Sequence, residues 1–160
     1  MKTLILIRHG KAEYGNFSTD KMRKLTDEGV RRSLKVANES GLILTSDFKW
    51  YSSTGSRAAQ TSIIFSKILN VSNKEITFLE ELYTFDFSQL NSLISSLSDS
   101  FDKIVIFGHN SALTDFVNEN TINTIDEIPT SGLVAIEFET KSWKNLPKGK
   151  VIKTLFAKEL

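Results

Sequence analysis

The 160-residue sequence predicts an α/β fold: a three-layer α/β/α sandwich with a mostly parallel sheet and a C-terminal antiparallel edge hairpin. Three observations carry that expectation. Leu4-Ile5-Leu6-Ile7 and Ile104-Val105-Ile106-Phe107 are unbroken apolar runs, the pattern of strands buried on both faces. Strand-like and helix-like stretches interleave along most of the chain, as a parallel sheet with crossover helices requires. Near the C-terminus two strand-like stretches, 135–139 and 151–157, instead flank a polar segment at 141–150, which reads as a hairpin.

The first strand ends at Arg8-His9-Gly10. A buried parallel strand that discharges polar residues from its carboxyl end aims them at the crevice where open α/β sheets bind ligands. Glycine beside the histidine lets backbone approach whatever sits there. A polar loop follows over 11–24, with Arg23 just ahead of Leu25-Thr26-Asp27-Glu28-Gly29. Thr26 is the expected N-cap of a helix, with Asp27 and Glu28 suiting its positive end. Val30, Leu34 and Ala37 mark that helix's apolar stripe, and Gly41 its stop.

Residues 48–52 read as the second strand. They run into Ser53-Thr54-Gly55-Ser56-Arg57-Ala58-Ala59-Gln60-Thr61, a small-residue turn that opens a helix with Ala58, Ile64, Phe65, Ile68 and Leu69 facing inward. Such a turn offers free N–H groups to an anion. Arg57 opposes the dipole at that end of a helix, so an anion nearby is the reason for its presence. A short strand at 75–79 precedes Glu80-Glu81-Leu82-Tyr83. Leu90, Leu93, Ile94 and Leu97 then fall at helical spacing. The strand at 104–107 ends in Gly108-His109-Asn110, and 111–119 forms a helix with Ala112, Leu113, Phe116 and Val117 inward. Pro129-Thr130-Ser131-Gly132 is a loop leading into the hairpin, where 135–139 alternates.

Composition narrows the function. The length fits one domain, 1–160, able to bury a core without staples. Hydrophobic content of 40% and charged content of 24% are those of a soluble globular protein. Net charge is +1 with no basic run, so no nucleic-acid footprint is present. No apolar stretch approaches the ~20 residues of a membrane span. The N-terminal apolar run is too brief for a signal peptide. Cysteine is missing, which excludes disulfides, thiolate metal sites and a cysteine nucleophile, and accords with a cytoplasmic address.

The two histidines are the only ones in the chain, and each ends an apolar strand. No P-loop or GxGxxG motif is present. No third histidine or carboxylate stands at metal-ligand spacing, and Arg8 beside His9 repels a cation, so no metal is expected. Arg8, Arg23 and Arg57 instead suit the oxygens of a phosphoryl group. Neutral His9 can attack phosphorus through one ring nitrogen while a hydrogen bond holds the other. A protonated His109 would stabilise the transferring group.

Arg8-His9-Gly10, Ser53-x-x-x-Arg57-Ala58-x-Gln60-Thr61 and Gly108-His109-Asn110 together resemble the histidine phosphatase superfamily, whose phosphoglycerate mutase-like members share these motifs. Within it, Arg8-His9-Gly10-Lys11-Ala12, Asp20-x-x-Arg23-x-Leu25-Thr26, Pro129-Thr130-Ser131-Gly132 and the closing strand resemble the short SixA-type phosphohistidine phosphatase branch. The resemblance spans nearly the whole chain. It implies a phosphoenzyme on His9, a phosphate pocket of Arg8, Arg57 and His109, and further substrate contacts from Arg23 and Asn110. It also implies hydrolysis with no metal and no cofactor. Thr54 departs from the pattern, where relatives commonly carry proline. Leu79-x-Glu81-Leu82 resembles the segment that supplies a general acid in phosphomonoesterase relatives. Three functions are therefore in view: a phosphatase acting on phosphohistidine in a protein, a small-molecule phosphomonoesterase using Glu81, and a non-catalytic phosphate-binding or interaction module. The partner is accordingly a phosphorylated protein or a small phosphate ester.

Overall fold

The computed structural model describes residues 1–15 and 19–160. The polar loop expected over 11–24 thus runs through Asn16, Phe17 and Ser18, which lie outside the described residues. In chain order the elements are β1 (Lys2–Arg8), α1 (Asp27–Glu39), β2 (Lys49–Ser53), α2 (Ser56–Ile68), β3 (Ile76–Leu79), α3 (Phe87–Ser95), β4 (Lys103–Gly108), α4 (Ala112–Asn120), β5 (Leu133–Phe138) and β6 (Lys150–Leu155). The six strands form one sheet in the order β3-β2-β4-β1-β5-β6. β1 to β4 pair in parallel, whereas β5 runs antiparallel to both β1 and β6. The α/β class and the antiparallel C-terminal edge agree with the pattern of apolar runs. No helix among the described residues is long and apolar enough to cross a membrane.

The unbroken apolar runs have a simple cause. Along β1, Leu4 and Leu6 enter one core with Leu90, Ile94, Leu113, Phe116 and Val117 from α3 and α4. Ile5 and Ile7 enter the other, with Val36 and Ala37 of α1 and Phe65 of α2. All four β1 residues are fully buried, so both faces of the strand demand apolar side chains. β5 behaves the same way. Its expected alternation is not observed, because Val134, Ile136 and Phe138 fill one core while Leu133 and Ala135 fill the other. Beyond β5 the sheet ends at β6, whose sequence is correspondingly more polar.

Thr26 caps α1 by accepting the Gly29 N–H at 3.0 Å, and the helix ends at Glu39 with Gly41 just beyond its Ser40 cap. Its buried face is not the expected stripe. Gly29, Ser33, Val36 and Ala37 face inward, while Val30 and Leu34 are each 36% exposed. The reason is proximity to backbone. A Cβ on Gly29 would lie 2.2 Å from the Lys11 carbonyl oxygen, and one on Gly10 would lie 2.8 Å from Ser33 Oγ. Only small residues fit there, so the larger aliphatics move to the rim. In α2, Thr61, Ser62 and Ser66 are buried, whereas Ile64 is only partly covered and Ile68 is 37% exposed. These three hydroxyls donate to the carbonyls of Arg57, Ala59 and Ile63 at 2.7–2.8 Å, which removes the cost of burying them.

The closeness of α1 to the segment after His9 makes Gly29 a test of the fold. Gly29→Ala is expected to cost at least about 2 kcal/mol through overpacking against backbone. Thermal denaturation should show a fall in Tm of about 5–10 °C; an unchanged Tm would mean that α1 does not press on Lys11.

Candidate active site

Strand register brings the two histidines together. β1 and β4 pair in parallel with Arg8 opposite Gly108, so the next residues, His9 and His109, emerge side by side. The His9 N–H donates to the Gly108 carbonyl at 3.1 Å, carrying the pairing one step past the strand. The two ring centroids are 5.3 Å apart. On the other side of β1, the Arg8 N–H donates to the Gly132 carbonyl and the Ser131 N–H to the His9 carbonyl, both at 3.0 Å. The Gly10 N–H donates to Thr61 Oγ1 at 3.0 Å. His9 is thus fixed from β4, from the loop before β5 and from α2.

The tautomer of His9 follows from its contacts. Nδ1 lies 2.7 Å from the Gly10 carbonyl, which can only accept, so Nδ1 carries the hydrogen. Nε2 is left with its lone pair, and Arg57 Nε donates to it at 3.3 Å. Burial pushes the His9 pKa down to about 4, and the charges of Arg57, Arg8 and Arg23 add to that against the bond to Gly10. His109 is 1% exposed and its Nε2 lies 2.8 Å from Ser53 Oγ, which accepts the Gly55 N–H at 3.0 Å. Burial, then His9 and Arg57, push its pKa down to about 3. Without an anion in the pocket the neutral ring is thus favoured, whereas the imidazolium expected at His109 concerns the pocket with a phosphoryl group bound.

Arg57 is 3% exposed and reaches Asp20, with Nη1 on the carbonyl at 2.9 Å and Nη2 on the carboxylate at 3.1 Å. Arg57, in the first turn of α2, is thus paired with a side-chain carboxylate, where the sequence led to the expectation of a bound anion. Asp20 lies in the short 3₁₀ turn Asp20–Met22 and also accepts from Arg23 Nη1 at 3.0 Å and from the Tyr83 hydroxyl at 2.5 Å. The Tyr83 bond, then those from Arg23 and Arg57, hold its pKa near 2 against partial burial. Arg23 is further fixed by the Glu13 carbonyl at 2.6 Å and lies over Tyr14. Arg8 donates through Nη1 to the Ile128 carbonyl at 2.8 Å and to Glu127 at 3.3 Å.

Two expected site residues face elsewhere. Glu81 is exposed and lines a groove of about 530 Å³ with Ser88, Gln89, Ser92, Leu93 and Ser96. Its neighbour Glu80 turns instead to Thr54 Oγ1 and Lys21 Nζ. Asn110 donates to the Ile128 carbonyl and accepts from the backbone and hydroxyl of Thr114, so its amide ties the start of α4 to the loop before β5. Conversely, Asp20, Ser53 and Tyr83 touch the central groups without having been singled out as site residues. Asp20 and Ser53 stand within the spacings Asp-x-x-Arg and Ser-x-x-x-Arg; no sequence signal marked Tyr83.

Among the described residues, two buried side-chain nitrogens have no hydrogen-bond partner: Arg8 Nε and His109 Nδ1. An unpaired buried donor costs about 1–3 kcal/mol, so such atoms point to a ligand. Together with the His9 lone pair and the Arg57 guanidinium, they suit a small tetrahedral oxyanion.

Both histidines titrate below their ordinary value, so as pH falls the unfolded chain takes up these protons before the folded one. The stability they contribute is fully present above about pH 6.5 and is lost as pH falls through 6.5, toward about 4 for His9 and about 3 for His109. For His9 the gap between 6.5 and about 4 corresponds to about 3 kcal/mol. Ring NMR titration should give midpoints near 4 and 3, and denaturant unfolding should show the acid loss; midpoints near 6.5 would contradict the buried, cation-flanked placement.

Comparison with known proteins gives the family and the fold. Residues 4–118 match the model of the histidine phosphatase superfamily (branch 1). No curated protein matches the chain. Among solved structures, the protein histidine phosphatase SixA complexed with tungstate is 20% identical, with a TM-score of 0.81 over 98% of each chain. The protein assigned as phosphohistidine phosphatase SixA of Agrobacterium tumefaciens is 21% identical, with a TM-score of 0.79 over 96% of this chain and 97% of that one. One assigned as the alpha-ribazole-5'-P phosphatase of Escherichia coli is 15% identical, with a TM-score of 0.71 over 98% and 97%. These likenesses are of fold, whereas the match of the family model covers most of the sequence, and the chain belongs to the histidine phosphatase superfamily, branch 1.

Proposed function

We propose that the protein removes phosphate from phosphohistidine in a protein substrate, through an intermediate phosphorylated on His9. The observation that carries this reading is the His9 ring. Nδ1 is held on the Gly10 carbonyl at 2.7 Å, and the Nε2 lone pair faces Arg57 beside the second histidine.

In the first step Nε2 attacks phosphorus, the new N–P bond forms, and the bond from phosphorus to the substrate imidazole breaks. Arg8 and Arg57 hold the equatorial oxygens, and His109 donates from Nδ1 once Ser53 holds its Nε2. An incoming dianion favours protonation of His109, reversing the effect of the surrounding cations. One guanidinium contact at about 4 Å and an effective dielectric near 20 is worth about 4 kcal/mol before desolvation, so several supply much of the stabilisation. Water then attacks phosphorus, the P–Nε2 bond breaks, and inorganic phosphate leaves with neutral His9 restored.

The leaving group decides between phosphohistidine and an ester. An alkoxide needs a proton from an acid as the P–O bond breaks, whereas a phosphohistidine ring that already carries a proton on its other nitrogen leaves as neutral imidazole when the P–N bond breaks. Asp20, which bonds Arg57, and Glu80, which bonds Thr54, are both held ionised by hydrogen bonds and cations, and Glu81 faces its own groove. The SixA neighbours, named as phosphohistidine phosphatases, agree with this choice. The phosphomonoesterase reading requires Glu81 to turn toward His9.

Purified protein, assayed with a chelator present, should dephosphorylate a phosphohistidine protein in preference to phosphoserine and alkyl phosphates. His9→Ala should lower the rate on the order of 10³-fold or more with the circular dichroism spectrum unchanged, and Glu81→Gln should stay within about twofold of the parent. A preference for esters that Glu81→Gln removes would replace this reading with the phosphomonoesterase one.

A further inference from the structure

Phe85 is 48% exposed, and isolated exposed apolar side chains need no explanation in themselves. What sets Phe85 apart is where its ring rests. Its centroid is 5.4 Å from that of His109, at an interplanar angle of 71°, and 6.0 Å from Arg57 Cζ. It therefore covers two groups of the pocket that are themselves buried. Tyr83 supports it from the side at 5.5 Å and is tied by its hydroxyl to Asp20. The backbone on both sides is fixed as well. Thr84 is buried and accepts the Asp86 N–H at 3.2 Å, and the Asp86 carboxylate caps α3 by accepting the Gln89 N–H at 3.1 Å. One part of the Phe85 ring is packed, the remainder is open at the mouth, and its position is preorganised.

We propose that Phe85 is a specificity-determining residue, a platform for a flat aromatic group bonded directly to the phosphorus held between His9 and His109. The proposal rests on the phosphate pocket argued above and names the feature of the substrate that this pocket prefers. In-line attack by His9 Nε2 sends the leaving group away from His9, toward the open mouth. In phosphohistidine the imidazole is attached to phosphorus with no spacer, so its ring must lie against the rim. An aromatic pair contributes about 0.5–1.5 kcal/mol beyond the area it buries, which is about a 2- to 10-fold preference. A protonated imidazole over the Phe85 face adds a cation–π attraction, and a saturated group has neither.

The test uses phosphonates, which carry the ring directly on phosphorus and are not hydrolysed. Calorimetry compares phenylphosphonate with cyclohexylphosphonate, equal in size but not flat. The parent protein should bind the phenyl compound about 2- to 10-fold more tightly. Phe85→Leu should bring the ratio to about one, and Phe85→Tyr should keep it. A ratio of one in the parent, a ratio that survives Phe85→Leu, or no binding of either compound would overturn the proposal. Because neither probe is turned over, failure here leaves the hydrolysis of phosphohistidine to be judged by its own assay.

Discussion

The pairing of Arg8 with Gly108 across β1 and β4 is the constraint on which the site depends. Parallel pairing of two strands buried on both faces fixes register absolutely, because a slip by one residue would turn every side chain into the wrong core. Leu4 and Leu6 on one face, and Ile5 and Ile7 on the other, make such a slip prohibitive. Two imidazoles about a hundred residues apart in sequence therefore meet at 5.3 Å through core packing, with no contact between the rings needed to hold them there.

Electrostatics explains the rest of the arrangement. Three guanidinium groups converge near two buried rings, and each opposes protonation of His9. That keeps a nucleophilic lone pair available, but it also creates repulsion among the cations. Asp20 offsets it by bonding Arg23 and Arg57 together, while Tyr83 holds the carboxylate from the third side. The carboxylate orients the arginines as an oxyanion would. Glu127 plays a lesser part for Arg8, being largely in solvent. The Gly29 and Gly10 contacts bring α1 so close to the backbone after His9 that Gly10 and Lys11 have little room to move.

Much of this was legible in the sequence because the signals were physical and redundant. The apolar runs announced strands covered on both faces, and their shared ending in glycine and histidine announced the crevice. Thr26 was readable as a cap because its chemistry is local. What escaped was set by tertiary contact. Helix α1 turns Gly29 and Ser33 inward, contrary to its hydrophobic pattern, because the neighbouring backbone at Lys11 leaves no space for larger residues. The serines and threonine of α2 are buried because each satisfies itself on its own helix, which composition cannot reveal. Glu80 and Glu81 are adjacent, and only the direction of one 3₁₀ turn decides which faces Thr54. Tyr83 and Phe85 lie beside His109 through chain path alone, and no periodicity marks them.

The central claim is that His9, His109, Arg8 and Arg57 enclose one phosphoryl group with His9 as the atom that bonds to it. A crystal structure with orthovanadate bound tests this most directly. The account predicts vanadium bonded to His9 Nε2, with oxygens on Arg8, Arg57 and His109 Nδ1. Vanadate bound elsewhere, or in the pocket but bonded to a different side chain, would contradict it.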